Sequence, residues 1–401
     1  MRRRQFVSGM AGLATYGLAL PAFARRQRLR VGIVGGGIVG ASIALRLAEG
    51  GADVVQFEKI APAAGATRNS FGWLNAFVAD PHYQALRIRS IAVYREIDGP
   101  LDLGITWGGY LNWARDQAGT EFVHANAAQL VRTRFPARDL TAAEFAALAP
   151  SLEPGPVTAA IYSALDAHLD PVRATLSFLE HATRLGARML CPCEVQSLEF
   201  QGGRLRSAVT SAGTIPLDRL VVAAGVDTPK LLAMAGHKLQ LRHAPGFLAH
   251  SRPAPMLTQS ICDAPGGVEF KQMADGSLVG TDSPEPPDLP VHAQIREHEV
   301  DFPDEALRTW HGTRALDKIK AFLPAAHDVP LDHVTLGFRP MPTDGFPVVG
   351  AVPGAPDLYV VVTHSGVTLA PLLGVYVRAE LLGGKEIVEL APYRPGRFAQ
   401  G

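Results

Sequence analysis

The sequence predicts an α/β protein in which a nucleotide-binding domain, assembled from separated stretches of chain, carries a second, α+β domain on a mostly antiparallel sheet. Three observations predict it. Near the front, between Arg28 and Glu58, a strand, a glycine turn, a helix and a second strand follow one another. In the middle, Leu239 to Gly280 is β-like and broken by proline. Towards the end, Leu358 to Thr363 is a continuous apolar strand and Gly366 to Leu382 a helix, so α/β character returns after the interruption.

The first stretch carries the strongest motif. Leu29 to Val34 reads as a buried strand, Gly35 to Gly40 as a turn of the form G-x-G-x-x-G, and Ile38 to Glu49 as the following helix, stopped by Gly50 and Gly51. Asp53 to Phe57 is the next strand, and Glu58 ends it about 20 residues past the glycines, where a ribose-binding acid belongs. Gly35 permits the tight turn, Gly37 lets backbone approach a pyrophosphate, and Gly40 lets helix and strand pack closely. The pyrophosphate then faces the helix start at Ile38 and Val39, where N–H groups lack partners and the dipole is positive. Glu58, with Lys59 beside it, suits free ribose hydroxyls and would repel a phosphorylated ribose, which favours FAD or NAD over NADP.

Composition excludes more than it proposes. The 401 residues allow two domains with substantial cores, and 38 basic against 38 acidic side chains leave no net charge to draw nucleic acid or an anionic membrane. The three cysteines, Cys191, Cys193 and Cys262, offer neither a metal-ligand spacing nor a disulfide framework. No metal is expected. Residues 1–24 read as a targeting segment: Arg3-Arg4 before Gln5-Phe6-Val7, a weakly apolar run, then Ala22-Phe23-Ala24. This resembles a twin-arginine export signal and gives a periplasmic location as the expectation.

The rest of the chain is read in order. Ala61 to Asn75 has loop composition, and within it Thr67, Arg68, Asn69 and Ser70 supply hydroxyls, an amide and a cation that could close over the far side of a diphosphate. His82 to Ile97 has helical apolar spacing and stops at Asp98-Gly99-Pro100. Thr141 and Glu144 form a capping box, and Asp170-Pro171 opens a helix ended by Gly186. Met189 to Phe200, Arg204 to Thr210 and Leu220 to Ala223 are strands, the last running into Gly225. Pro284 to Pro290 is a proline-rich loop, and Asp304 to Leu323 is helical.

Five segments together resemble the FAD-dependent amino-acid and amine oxidoreductases of the D-amino-acid oxidase family: Val31 to Gly40, Gly65 to Gly72, Leu169-Asp170-Pro171, Val221 to Gly225, and the pair Gly337 to Gly350 with Thr363 to Pro371. The resemblance implies a Rossmann-like FAD-binding domain from residues 28–102, 155–236 and 333–401, and a substrate domain from 103–154 and 237–332. It implies noncovalent FAD, since no cysteine follows Cys262 to form the link found in sarcosine oxidases. By the same resemblance Val195 holds the adenine through its backbone. Gly366, Val367 and Thr368 start a helix aimed at the flavin, Arg339 grips a substrate carboxylate, and His364 stands at the flavin junction. Thr368 lies where sarcosine oxidases carry a lysine, and Phe270 near where glycine oxidases use a tyrosine.

The activity so implied is oxidation of an amino acid or related amine by hydride transfer from Cα to flavin N5, followed by imine hydrolysis. Electrons would pass to oxygen or to a quinone, the latter with peripheral membrane contact. Two alternatives stand beside it: oxidation of a 2-hydroxy acid, and a flavin-binding subunit without turnover of its own.

Overall fold

The computed structural model describes residues 28–132, 135–282, 292–297 and 301–398. Residues 1–24, expected to be an export signal, and Pro284 to Pro290, expected to be a loop, lie outside them. A six-stranded sheet runs in the order Val348–Val352, Ala355–Val362, Arg219–Val222, Arg30–Val34, Asp53–Phe57, Arg188–Leu190. Its neighbours are parallel except for the edge hairpin that the first two strands form. Val31, Ile33, Val221, Val222, Leu358 and Val360 are fully buried, as expected of strands covered on both faces. Helix Ile38–Glu49 lies between helices Pro171–Arg184 and Gly366–Gly383. Glycine permits that contact: a Cβ on Gly374 would come 2.7 Å from Ser42 Oγ.

The second sheet has eight strands: Leu331–Phe338, Pro245–Pro253, Ser277–Thr281, Val268–Gln272, Ile261–Ala264, Tyr110–Ala114, Ala159–Ser163 and Ala137–Asp139. All neighbours are antiparallel except Ile261–Ala264 with Tyr110–Ala114. Period-two alternation divides its faces. Leu111, Trp113, Cys262, Val268 and Phe270 enter one core with Phe145 and Phe322, leaving Tyr110, Asp263 and Glu269 on the other face.

Several local expectations meet their capping chemistry. Asp170 accepts from the backbone N–H of Val172 at 2.8 Å with Pro171 as the first helical residue, and Thr141 and Glu144 close their box at 3.2 and 2.8 Å. Others differ. The helix expected from His82 to Ile97 runs Pro81–Leu101, capped by Asp80 with Pro81 as its first residue, and Pro100 lies within its last turn instead of stopping it earlier. Met189 to Phe200 is two strands in two sheets, since Pro192 cannot donate to a ladder. Cys191 is therefore exposed and Cys193 buried, on no common strand face. Ala159–Ser163, assigned from sequence to the nucleotide-binding stretch, pairs instead with Tyr110–Ala114 in the eight-stranded sheet.

Candidate active site

A cavity of about 940 Å³ opens between the carboxyl ends of the parallel strands and the eight-stranded sheet. Its front is the glycine turn. Gly35 has φ +112°, and a Cβ there would lie 2.3 Å from the Ala223 carbonyl oxygen, so only glycine fits. Gln56 Nε2 donates to the Gly35 carbonyl at 2.8 Å and ties the turn to the second strand. Glu58 accepts from the N–H of Gly36 at 2.7 Å and of Ile60 at 2.8 Å, which fixes its carboxylate at the cavity edge. Gly37 is the N-cap of helix Ile38–Glu49 and supplies no side-chain cap. A cradle for an anion results.

The loop after Glu58 joins this wall through Ala63, whose N–H donates to the Gly36 carbonyl at 2.9 Å. Thr67 Oγ1 accepts from the N–H of Ile38 at 3.1 Å, and Asn69 and Ser70 line the cavity beside it. Arg68 does not: it is exposed and outside the lining. Lys59 lies at the rim in an ion pair with Asp227 at 2.7 Å. Gly40 also stays off the lining. It is the close-packing glycine, its absent Cβ falling 2.2 Å from the Gly35 carbonyl oxygen. Val195 and Gly225 line the same end of the cavity.

The back wall is the start of helix Gly366–Gly383. Ser365, its N-cap, makes no side-chain cap, so a second helix N-terminus opens on the cavity. Gly366 and Val367 line it, and a Cβ on Gly366 would stand 3.2 Å from Val39 Cγ2, so the two helix starts nearly touch. The Thr368 side chain is already committed: its hydroxyl donates to the Trp73 carbonyl at 3.1 Å and accepts from the Asn75 N–H at 3.4 Å.

Beside this helix start stand the cations. Arg339 lines the cavity and donates from Nε and Nη2 to the carbonyls of Ala244 and Pro245, both at 3.1 Å, which orients its guanidinium. His364 is open to the cavity. Desolvation by the surrounding protein, then the charges of Arg339, Arg87 and Arg242, push its pKa down to about 4, so the imidazole is neutral at neutral pH.

Arg87 was read from sequence only as part of a helix. It is 6% exposed, lies 4.5 Å over the Tyr83 ring, donates to Asn75 Oδ1 at 2.8 Å and to Ser365 Oγ, and keeps Nε without a partner among the described residues. The signal that could have found it is spacing: Tyr83, Arg87 and Ser90 share the buried face of Pro81–Leu101.

Phe270 corrects another expectation. It is fully buried on the core side, and its strand neighbour Glu269 faces the cavity. Burial, then the charge of Asp263, raises the Glu269 pKa to about 7 against the opposing pull of Arg339. Asp263 is itself raised by burial and accepts from Tyr110 at 2.7 Å.

Lys271, two residues on, is 1% exposed and donates to the Leu169 carbonyl at 3.0 Å; burial lowers its pKa to about 7. Between pH 7 and its ordinary value near 10.5 the unfolded chain holds a proton that the folded one releases, so this group makes stability rise with pH across that window. Lys271→Met is expected to flatten the rise in thermal midpoint from pH 7 to 10 relative to the parent. Parallel midpoint curves for the two proteins would contradict this.

Two helix starts meeting over a glycine turn, with an acid at the second strand and guanidinium groups at one end, define a dinucleotide-binding fold with a charged site beside it. The chain belongs to the DAO family of FAD dependent oxidoreductases, whose pattern matches residues 30–380. Its cofactor is FAD, and the cradle around Gly35 and Gly37 and the unpartnered Arg87 Nε fit that group. The chain is 27% identical to an opine oxidase chain of Agrobacterium tumefaciens, covering 91% of this chain and 96% of that one, and 25% identical to the glycine oxidase of Geobacillus kaustophilus, covering 92% and 96%. It is 25% identical to the mitochondrial dimethylglycine dehydrogenase of Rattus norvegicus over 93% of its own length but spans only 45% of that relative. Among solved structures, the L-proline dehydrogenase of P. horikoshii superposes with a TM-score of 0.81 at 22% identity, covering 93% of this chain and 98% of that one, and shares the fold.

Proposed function

We propose that this chain oxidises an amino acid or a related amine whose carboxylate is held by Arg339. The observation that carries this reading is one continuous cavity in which the glycine cradle, the Gly366 helix start and an oriented Arg339 all take part. When bound, FAD supplies the two-electron acceptor for the Cα–H bond. The N–H of Val39 and the hydroxyl of Thr67, to which Ile38 already donates, would hold its diphosphate, Glu58 its ribose and Val195 its adenine, with Asn69 and Ser70 on the far side. The planar fork of Arg339 makes two charge-assisted bonds to the substrate carboxylate and so fixes Cα, while neutral His364 offers one donor and one acceptor without repelling that guanidinium. Water hydrolyses the imine to a keto acid or aldehyde.

The test is anaerobic bleaching of the yellow holoprotein by a panel of amino acids, secondary amines and 2-hydroxy acids. Bleaching by an amine supports the reading; bleaching by 2-hydroxy acids alone overturns it. Peroxide release against dye reduction then separates oxygen from a membrane quinone as acceptor. Export by residues 1–24 to the periplasm belongs to the same proposal, and fusing that segment to a folded reporter tests it. Likeness to one subunit of an opine oxidase favours a single second reading, a chain that turns over only together with a partner chain. Co-purification of another polypeptide, with no bleaching of the isolated chain, would establish that version.

A further inference from the structure

Two strands of the eight-stranded sheet bring acids to the cavity that Arg339 also lines. Asp263 and Glu269 are direct cross-strand partners in the antiparallel pair Ile261–Ala264 with Val268–Gln272, and both line the cavity. Like charges directly opposite on one sheet face repel. Asp263 has an answer in the Tyr110 hydroxyl at 2.7 Å. Glu269 has none: among the described residues its carboxylate accepts no hydrogen bond and closes no ion pair, although it is part-buried. A second, independent sign comes from helix Gln117–Arg132. Asn126 on it is 8% exposed, lines the same cavity, and leaves its Nδ2 without a partner among the described residues. The cavity thus holds both signs of charge, with guanidinium groups, an unanswered carboxylate and an unsatisfied amide among its lining.

We propose that Glu269 is the catalytic residue that receives the substrate's ammonium group, taking one proton from it so that the neutral amine is presented for oxidation. This rests on the reading of Arg339 as carboxylate clamp, since an amino-acid zwitterion matches a guanidinium facing a carboxylate. The step balances without a further reactant: a nitrogen–hydrogen bond breaks, its electron pair stays on the amine, and the proton forms an oxygen–hydrogen bond on the carboxylate. The groups facing Glu269 are Asp263 and Tyr110 across the neighbouring strands, Thr281 opposite it on Ser277–Thr281, and Arg339 beyond Leu331–Phe338. Burial, and after it Asp263, favour the protonated carboxyl and Arg339 opposes them, which leaves Glu269 able to exchange a proton near neutral pH. The same contact discriminates amines from 2-hydroxy acids, which bring no cation to this wall.

The experiment compares holoprotein with Glu269→Gln and Glu269→Asp variants, using the amine found to bleach the parent. With Glu269→Gln, kcat/KM for the amine is expected to fall by roughly 30-fold at pH 7, the size of losing one partner of a desolvated charge pair. The parent's loss of kcat/KM as pH falls through about 7 should vanish in the same variant, leaving a limb set by the substrate amine itself. Glu269→Asp should keep that limb with an intermediate rate, which a purely structural role would not produce. Flavin absorbance on titration with a simple carboxylate that lacks an amine should be unchanged in both variants. Equal kcat/KM and equal pH profiles in parent and Glu269→Gln would overturn the inference while leaving the amine oxidation intact. A parent bleached only by 2-hydroxy acids would instead overturn the function on which it rests.

Discussion

Replacing Arg339 by alanine is expected to lower kcat/KM for the substrate by about 10³-fold while the protein stays yellow and folded. The magnitude follows from removing one partner of a charge-assisted, desolvated pair, which costs about 2–5 kcal/mol, together with lost orientation of Cα. Arg339 donates from its side chain to the Ala244 and Pro245 carbonyls at the start of strand Pro245–Pro253, so truncation also removes these two bonds, although the Arg339 backbone N–H still reaches the Ala244 carbonyl. Arg339→Lys separates the two effects. A lysine restores charge but not the planar fork, so it should recover only part of the loss. Flavin content by absorbance and steady-state kinetics on the same samples check this, and an alanine variant with parental kcat/KM would remove Arg339 from the site.

Replacing Gly35 by alanine is expected to abolish FAD retention. The added Cβ would lie 2.3 Å from the Ala223 carbonyl oxygen and 2.9 Å from its carbon, both backbone atoms that cannot step aside, and φ +112° is strained for any L side chain. The turn must therefore open, carrying with it the Gly36 N–H that holds Glu58 and the start of helix Ile38–Glu49. Gly36→Ala is the comparison. Its Cβ would come within 2.9 Å of the Glu58 carboxylate, a flexible side chain, so it should weaken FAD binding without abolishing it. Reconstitution of stripped protein with FAD, followed by flavin fluorescence, measures both. Full retention of FAD by Gly35→Ala would show that the turn does not form as described.

Much of the cradle was legible in the chain because it depends on local chemistry. A strand, a turn that only glycine permits, a helix start and an acid on the next strand are neighbours in sequence, so periodicity and backbone sterics define them with little reference to the rest of the molecule. The capping residues Asp170 and Thr141 were legible for the same reason: each bonds N–H groups within three residues of itself. Arg339 and His364 were reached by family resemblance, and the fold brings both to one cavity.

Tertiary structure alone decided what depends on distant pairing. Arg87 looks like an ordinary helix residue until Ser365, 278 positions away, meets it. Which way Glu269 and Phe270 point is set by register: one position along a strand exchanges cavity for core, and only pairing with Ile261–Ala264 and Ser277–Thr281 fixes it. Ala159–Ser163 likewise has the texture of either sheet, and its ladder to Tyr110–Ala114 chooses between them. The sequence by itself therefore determined a dinucleotide cradle and its class of cofactor. Which charges face the cavity was left to long-range strand pairing, because a side chain's direction on a sheet is a property of its partners as much as of its own residue.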